Sequence, residues 1–163
     1  MRPVLRLFLA ILLLAVARLA AADVYQDDNL RFALPDGWVI LSRNPSMLIF
    51  RSGDEKRQLT VSVLEVRRAL SEKEFREFVQ QRTDGEKKKL TKDDKVIEEP
   101  IEQRGPVRRA IYSVRDAGNG RLGTGVVVGS ARVLALFYLE SLVDDPKAHI
   151  ELAGDIMTTI QVR

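Results

Sequence analysis

One uninterrupted apolar stretch near the C-terminal end constrains the fold more than any other part of the sequence. Residues 133–139 are Val-Leu-Ala-Leu-Phe-Tyr-Leu, with no charged side chain among them. Successive side chains of a β-strand point to opposite faces of its sheet, so an apolar residue at every position predicts that both faces are covered. The stretch therefore predicts a central strand of a sheet with a packed layer on each side.

The segments before this strand show the alternation that is typical of half-buried strands. In residues 30–34 and 59–63, apolar side chains alternate with polar or small ones, which predicts one buried and one exposed face. Further strands are predicted at 38–41, 47–50, 96–101, 107–114 and 124–128. Residues 23–29 are predicted to be a loose polar entry segment, and residues 161–163 an extended or frayed end.

Two helices are predicted, one in the middle of the chain and one at its end. Ser71 and Glu74 form a capping box that starts the first helix, and Gly85 is predicted to stop it. Asp145 and Pro146 match an N-cap followed by proline in the first turn of the second helix. The buried face of this helix is predicted to contain Ile150, Ala153, Ile156 and Met157. The order of elements predicts an α+β fold, a twisted and mainly antiparallel sheet of about six to eight strands flanked by two helices.

The N-terminus carries the features of a secretory signal peptide. Two arginines precede an unbroken apolar run over residues 7–17, and three alanines end the segment, as expected before a cleavage site. The apolar run has about half the length that a bilayer-spanning helix needs. The sequence therefore predicts a cleaved leader over residues 1–22, a single domain over residues 23–163, and a periplasmic or secreted protein. No stable membrane span is expected after the leader is removed.

Charge and cysteine content exclude several classes of function. The chain has 26 Lys and Arg against 23 Asp and Glu, and three of the arginines lie in the leader, which has no acidic residue. The predicted domain is therefore close to electrically neutral, which gives no support for a nucleic-acid or anionic-membrane partner. The absence of cysteine excludes disulfides and thiolate metal sites.

Residues 118–123, Gly-Asn-Gly-Arg-Leu-Gly, match the glycine spacing of a dinucleotide-binding loop. That loop must open a helix, because the pyrophosphate binds the free N–H groups of a helix N-terminus. Residues 124–128 are instead β-branched or glycine, which favours a strand. Asn119-Gly120 is in addition a strong hairpin signal. We therefore predict a turn between two strands and no nucleotide cofactor.

The titratable residues do not form a recognisable catalytic or metal-binding pattern. His149 is the only histidine and is predicted at the margin of the last helix. The sequence has no Gly-x-Ser-x-Gly motif, so it offers no nucleophilic serine for which this histidine could act as the base. One histidine without cysteine also leaves a tetrahedral zinc site short of ligands. The pair Asp27-Asp28 leaves weak calcium binding open, although the spacing of an EF-hand loop is absent. The sequence predicts no enzyme, no cofactor and no metal.

The stretch LRFALPDGWVIL, residues 30–41, contains a Pro-x-Gly-Trp turn made of Pro35, Gly37 and Trp38. Together with the capped helix and the closing helix, it resembles the PsbP-like domains, a superfamily that includes PsbP of photosystem II and the periplasmic protein DcrB. The resemblance covers nearly all of residues 24–162. It implies a PsbP-like sandwich, and a small non-catalytic domain that binds or stabilises other proteins.

Three residues are candidates for contact with a partner. Trp38 is the only tryptophan and follows a turn, so core packing and a binding anchor are its two interpretations. Arg108 and Arg109 are adjacent on a predicted strand and project to opposite faces. At least one of the two is expected to face solvent, where it can pair with a partner's acidic side chains.

The predicted function is an exported, non-catalytic protein-interaction module of the envelope, with another protein as partner. Two alternatives remain open at this point. One is an immunity protein that neutralises a toxin enzyme, and the other is a carrier of a small apolar ligand held between sheet and helix.

Overall fold

The computed structural model describes residues 23–91, 94–142 and 145–163, so the predicted leader lies outside the described residues. The helices are α1 (Glu72–Lys87) and α2 (Pro146–Thr158). The strands are β1 (Asp23–Gln26), β2 (Leu30–Leu34), β3 (Val39–Asn44), β4 (Met47–Arg51), β5 (Arg57–Glu65), β6 (Lys95–Glu98), β7 (Glu102–Arg104), β8 (Val107–Asp116), β9 (Arg121–Gly129), β10 (Val133–Ser141) and β11 (Gln161–Val162). Neither helix of this part of the chain is long and apolar enough to cross a membrane.

The strands form two antiparallel sheets. The larger sheet has the order β3-β4-β5-β10-β9-β8-β6, and β7 also pairs with β8. The smaller sheet has the order β1-β2-β11. The predicted α+β class, a mainly antiparallel sheet with two helices, is therefore confirmed. The strands β1, β7 and β11 were not predicted from the sequence. They are short segments with too little apolar alternation to be recognised, and they form by pairing with β2 or β8.

Strand β10 lies in the middle of the larger sheet, between β5 and β9. One set of its side chains enters a core shared with the smaller sheet and α2, namely Val133, Ala135, Phe137 and Leu139. The alternate set faces a second core beneath α1, namely Leu134, Leu136 and Tyr138. The prediction of a central strand covered on both faces is confirmed.

Each face of the larger sheet has its own covering layer. On one face, Leu30 and Phe32 of β2 and Ile156 of α2 are buried in the first core. On the other face, Phe75 and Val79 of α1 are buried in the second core. These layers exclude water from both sides of β10, which is the main source of stability in a domain without disulfides.

Both predicted helix starts are confirmed. Ser71 Oγ accepts a bond from the Glu74 N–H at 3.3 Å, and the Glu74 carboxylate accepts one from the Ser71 N–H at 2.8 Å. The Asp145 carboxylate accepts a bond from the Ala148 N–H at 3.0 Å. The predicted stop at Gly85 is wrong, since α1 continues beyond it. A glycine without positive φ weakens a helix by about 1 kcal/mol but does not end it.

The sequence predicts residues 23–29 to be loose and residues 161–163 to be extended or frayed, and the structure forms a strand in each segment. The entry segment forms β1, in which Tyr25 lies opposite Phe32 of β2. The C-terminal residues form β11, in which Val162 lies opposite Leu30 on the other edge of β2. The two ends of the described domain therefore meet around β2. The entry segment is not loose, because pairing satisfies its backbone groups, and the C-terminal end is extended rather than frayed.

The glycine-rich stretch 118–123 turns the chain from β8 into β9, as predicted. Its glycines also serve packing. A Cβ atom added at Gly123 would lie 2.3 Å from the hydroxyl oxygen of Tyr138, and one added at Gly125 would lie 2.1 Å from Cζ of Tyr112. The absence of side chains on this face of β9 makes room for the two tyrosine rings.

Candidate functional site

A surface groove of about 340 Å³ lies between the β7–β8 hairpin and the C-terminal end of the described chain. Its polar lining residues are Glu102, Arg104, Arg109, Thr158 and Gln161. Its apolar lining residues are Val107, Val128, Ile160 and Val162. We call it the Arg109 groove. Apolar side chains together with a few fixed polar groups are the usual composition of a recognition site.

Arg109 is the half-buried cation of this groove. Its Nη2 donates a hydrogen bond to the carbonyl oxygen of Met157 at 3.1 Å, in the last turn of α2. A cation at this position satisfies a free carbonyl and interacts favourably with the negative end of the helix dipole. The Nε of Arg109 is buried without a hydrogen-bond partner among the described residues. The Nε atoms of Arg57 and Arg108 are buried without a hydrogen-bond partner in the same way, so this feature does not distinguish the groove.

Arg108 projects to the opposite face of β8, as predicted. Its Nη1 donates a hydrogen bond to the carbonyl oxygen of Leu70, directly before the start of α1. Both arginines are half-buried, so each keeps part of its side chain open to solvent. Adjacent residues of one strand thus attach the two helices to the two faces of the sheet. Contact of Arg108 or Arg109 with a partner stays a prediction.

Trp38 packs in the first core and is 9% exposed. It also lines a shallow surface depression together with Arg57 on β5 and Asp155 on α2. Core packing, the first of its two interpretations, agrees with this burial. Only a small part of the indole ring is open to solvent, and a role of Trp38 as a binding anchor stays a prediction.

His149 is buried inside the fold, and the prediction that it lies at the helix margin is wrong. Only 4% of its surface is exposed, whereas the neighbouring Ile150, which was predicted to be buried, is 67% exposed. The Nδ1 atom lies 2.8 Å from Ser141 Oγ, and Nε2 lies 2.8 Å from Thr124 Oγ1. One ring nitrogen donates and the other accepts, so both are occupied by hydroxyl groups of β9 and β10.

Burial lowers the pKa of His149, and the nearby positive charge of Arg57 lowers it further. The folded protein therefore keeps the ring neutral to a lower pH than the unfolded chain does, since in the unfolded chain the ring takes up a proton below about pH 6.5. Since the unfolded state then binds more protons, we expect the free energy of unfolding to fall as the pH decreases from about 7.5 to about 5.5. Urea unfolding at both values measures this difference.

The matched control for this pH dependence is His149→Gln. Glutamine offers a donor and an acceptor to Ser141 and Thr124 but does not titrate. We expect this variant to lose most of the difference in stability between the two pH values. If the variant loses as much stability between the two pH values as the original protein does, the pH dependence arises from other groups.

The acidic pair Asp27-Asp28, which left calcium binding open, forms part of the β1–β2 turn. The Asp27 carboxylate accepts bonds from the N–H groups of Asn29 and Leu30 at 2.8 Å each and from the Tyr25 hydroxyl at 2.9 Å. Burial alone would raise its pKa, but these hydrogen bonds outweigh burial and hold the pKa below its usual value. Within the described ranges, no group of three or more His, Asp and Glu is placed to hold a metal ion.

A cluster of charges around Arg121 escaped the sequence analysis. Its guanidinium lies 3.1 Å from the carboxylate of Glu140, 3.5 Å from that of Asp116 and 3.6 Å from that of Glu86. These acids lie on β10, β8 and α1, so the cluster joins the two ends of the β8–β9 turn to the helix above it. No pattern in the sequence indicates that these residues lie close together.

The arrangement of sheets and helices is similar to that of two solved structures. The solution structure of CyanoP, the cyanobacterial PsbP from Synechocystis, matches with a TM-score of 0.62 at 18% sequence identity, over 88% of this chain and 94% of that chain. This chain has the PsbP fold. The crystal structure of LpqN, which is involved in cell envelope biogenesis of Mycobacterium tuberculosis, matches with a TM-score of 0.52 at 15% identity, over 86% of this chain and 90% of that chain. No protein-family model and no curated protein matches the sequence.

The PsbP fold agrees with the resemblance seen in the Pro-x-Gly-Trp turn. That turn contains Gly37, whose φ of +79° is a conformation that glycine adopts without strain. It lies between β2 of the smaller sheet and β3 of the larger one. The short motif therefore marks the point where this chain crosses from the smaller sheet to the larger one.

Proposed function

We propose that this protein is an exported, non-catalytic interaction module of the cell envelope, and that its Arg109 groove receives a segment of a partner protein. The observation that carries the proposal is the lining of the groove, where apolar side chains surround the half-buried guanidinium of Arg109. Such a combination is suited to an anchor side chain next to an acidic group.

The groove also predicts the chemistry of the partner segment. Val107, Val128 and Ile160 offer an apolar surface to an aliphatic or aromatic side chain. Arg104 on the rim pairs with Glu102 at 3.5 Å and is largely exposed, so a carboxylate of the partner can compete for it. We expect an extended segment that carries an apolar anchor and an acidic residue nearby.

Two further observations support the location and the class of function. Residues 1–22 have the pattern of a secretory leader. The PsbP fold is shared with LpqN, a protein involved in cell envelope biogenesis. In the part of the chain that the structure describes, no observation favours the immunity protein or the carrier of a small apolar ligand over this proposal.

Site-specific crosslinking tests the proposal. A photoreactive benzoylphenylalanine replaces Gln161, an exposed residue of the groove, in the exported protein within its native envelope fraction. We expect one discrete adduct with another protein, and we expect Arg104→Glu to reduce its yield by about tenfold because a rim attraction becomes a repulsion.

The matched control places the same photoreactive group at Lys73, on the outer side of α1, where the side chain is 85% exposed. This position should give no adduct with the same protein. Equal adducts at both positions would indicate non-specific collision. The absence of any adduct at Gln161 would contradict the groove as a contact surface.

A further inference from the structure

A surface depression of about 580 Å³ lies where two turns of the sheets meet α2. The turn between β2 and β3 contributes Asp36 and Trp38, and the turn between β4 and β5 contributes Asp54. Helix α2 contributes Glu151 and Asp155, which lie four residues apart and therefore on one side of the helix. We call it the Trp38 depression.

The Trp38 depression carries an excess of negative charge. Arg57 also lines it, and its Nη1 donates a hydrogen bond to the Asp54 carboxylate at 3.1 Å, so these two charges compensate each other. Within the described ranges, the exposed side chains of Asp36 and Asp155 take part in no ion pair. The fourth acid, Glu151, has a long contact of 3.9 Å with an exposed lysine of the same helix. Three carboxylates therefore remain to attract a cation.

A hydrogen-bond donor in the lining has no partner. Trp38 is 9% exposed and packs in the first core. Its indole N–H donates to no group of the described chain, and it is not one of the enclosed polar atoms there that lack a partner. The N–H therefore reaches solvent, at the depression that Trp38 lines. Since a buried indole N–H normally has a hydrogen-bond partner, a bound group that accepts from it would complete the site.

The two turns that form the walls are fixed without a ligand. A Cβ atom added at Gly53 would lie 3.2 Å from the carbonyl oxygen of Gly37, so the turns are in close contact through their backbones. The Asp54 carboxylate accepts a bond from the Lys56 N–H at 3.1 Å within its own turn. A surface that is already ordered loses little conformational entropy when a ligand binds.

The spread of the carboxylates indicates the kind of cation. In the described part of the chain, no three or more acidic residues are placed to hold a metal ion. A shallow depression also leaves a small molecule largely in solvent. A lysine or arginine side chain of a polypeptide suits both features, because its several N–H groups reach separate carboxylates while its main chain stays at the surface.

We propose that the Trp38 depression binds a basic segment of another polypeptide. One lysine or arginine side chain lies among the carboxylates of Asp36, Glu151 and Asp155, and a main-chain carbonyl of the same segment accepts a hydrogen bond from the Trp38 N–H. This proposal does not rest on the Arg109 groove, since no described residue lines both.

Tryptophan fluorescence of the exported protein tests the proposal directly. Trp38 is the only tryptophan in the sequence, so its emission reports on this site alone. The probe is the peptide acetyl-Gly-Arg-Gly-Arg-Gly-amide, and its control has glutamate in place of arginine. We expect a saturable change with a dissociation constant on the order of 100 µM at low salt, and none with the control. No change up to about 5 mM of the arginine peptide would overturn the proposal.

Matched substitutions separate the site from the total charge of the protein. Asp36→Asn and Asp155→Asn should each weaken binding by at least about threefold, because each removes one carboxylate near the bound cation. Asp28→Asn removes the same charge from an exposed position in the β1–β2 turn, at the opposite end of β2 from Asp36, and should leave binding unchanged. Equal weakening by all three substitutions would overturn the proposal.

The hydrogen bond to Trp38 distinguishes a polypeptide from another cation. Trp38→Phe keeps an aromatic ring but removes the N–H, and we expect about fivefold weaker binding of the arginine peptide by calorimetry. Putrescine has two positive charges and no carbonyl group, so it should bind the original protein at least about fivefold more weakly than the peptide. Circular dichroism confirms that each variant is folded. Putrescine binding as tightly as the peptide would overturn the assignment to a polypeptide.

Discussion

Replacing Gly125 with alanine will destabilise the protein by about 3 kcal/mol or more. The added Cβ would lie 2.1 Å from Cζ and 2.3 Å from Cε1 of Tyr112. Tyr112 is 2% exposed and packs in the core beneath α1, so its ring has no free space into which it can move. Either the ring or strand β9 must shift, and both are packed on every side. Equilibrium unfolding in urea measures the loss.

The control for this prediction is the same substitution at Gly154. That glycine lies within α2 and has no atom within 4 Å of an added Cβ. Alanine favours a helix by up to about 1 kcal/mol over glycine, so Gly154→Ala should leave the protein unchanged or more stable. Combining Gly125→Ala with Tyr112→Ala should cost less than the sum of the two, because the smaller side chain removes the clash. A near-neutral Gly125→Ala variant would contradict the packing of Tyr112 against β9.

Replacing Phe32 with alanine will destabilise the protein by about 3–5 kcal/mol. Phe32 is 0% exposed and lies at the centre of the first core. Its ring centroid is 5.1 Å from that of Tyr25, 5.2 Å from that of Phe137 and 5.6 Å from that of Phe50. These rings belong to four strands in two sheets, so the substitution would leave a cavity between the sheets and remove contacts that join them. Thermal unfolding and urea unfolding both measure the change.

The matched control is Phe78→Ala on α1. Phe78 is only partly buried, and Arg82 lies over its ring at 4.9 Å from the centroid. Removing this ring should cost about 1 kcal/mol, since water already reaches part of the position. If Phe32→Ala and Phe78→Ala cost the same, the smaller sheet does not pack on the larger sheet through Phe32.

Several elements follow from local features of the sequence. The capping box of Ser71 and Glu74, the cap at Asp145 and the alternation in β2 and β5 all act within a few residues of the chain. Strand β2 has its predicted bounds, whereas β5 extends two residues further at each end and α1 continues past its predicted stop. Hydrogen bonding with the neighbouring strands extends β5, because pairing holds residues whose own preference is weak.

The candidate site depends on contacts between distant parts of the chain. The Arg109 groove is lined by residues of β7, β8, β9 and the C-terminal end. From the sequence, only Arg109 and its neighbour could be named as candidate contact residues. The one sequence feature that could have indicated the groove is the pair of apolar residues Ile160 and Val162, which follow the last helix. They were missed because a two-residue strand has too few residues to show alternation.

The sequence by itself determined that a strand at residues 133–139 is covered on both faces, that two capped helices pack on the sheet, and that residues 118–120 turn the chain from one strand into the next. Each of these follows from side-chain periodicity or from turn and cap chemistry, which act locally. Only the tertiary structure decided that β1 and β11 join β2, that His149 turns inward to Ser141 and Thr124, and that Gly125 leaves space for Tyr112. Those outcomes depend on which residues far apart in the chain come into contact, and no local pattern records such contacts.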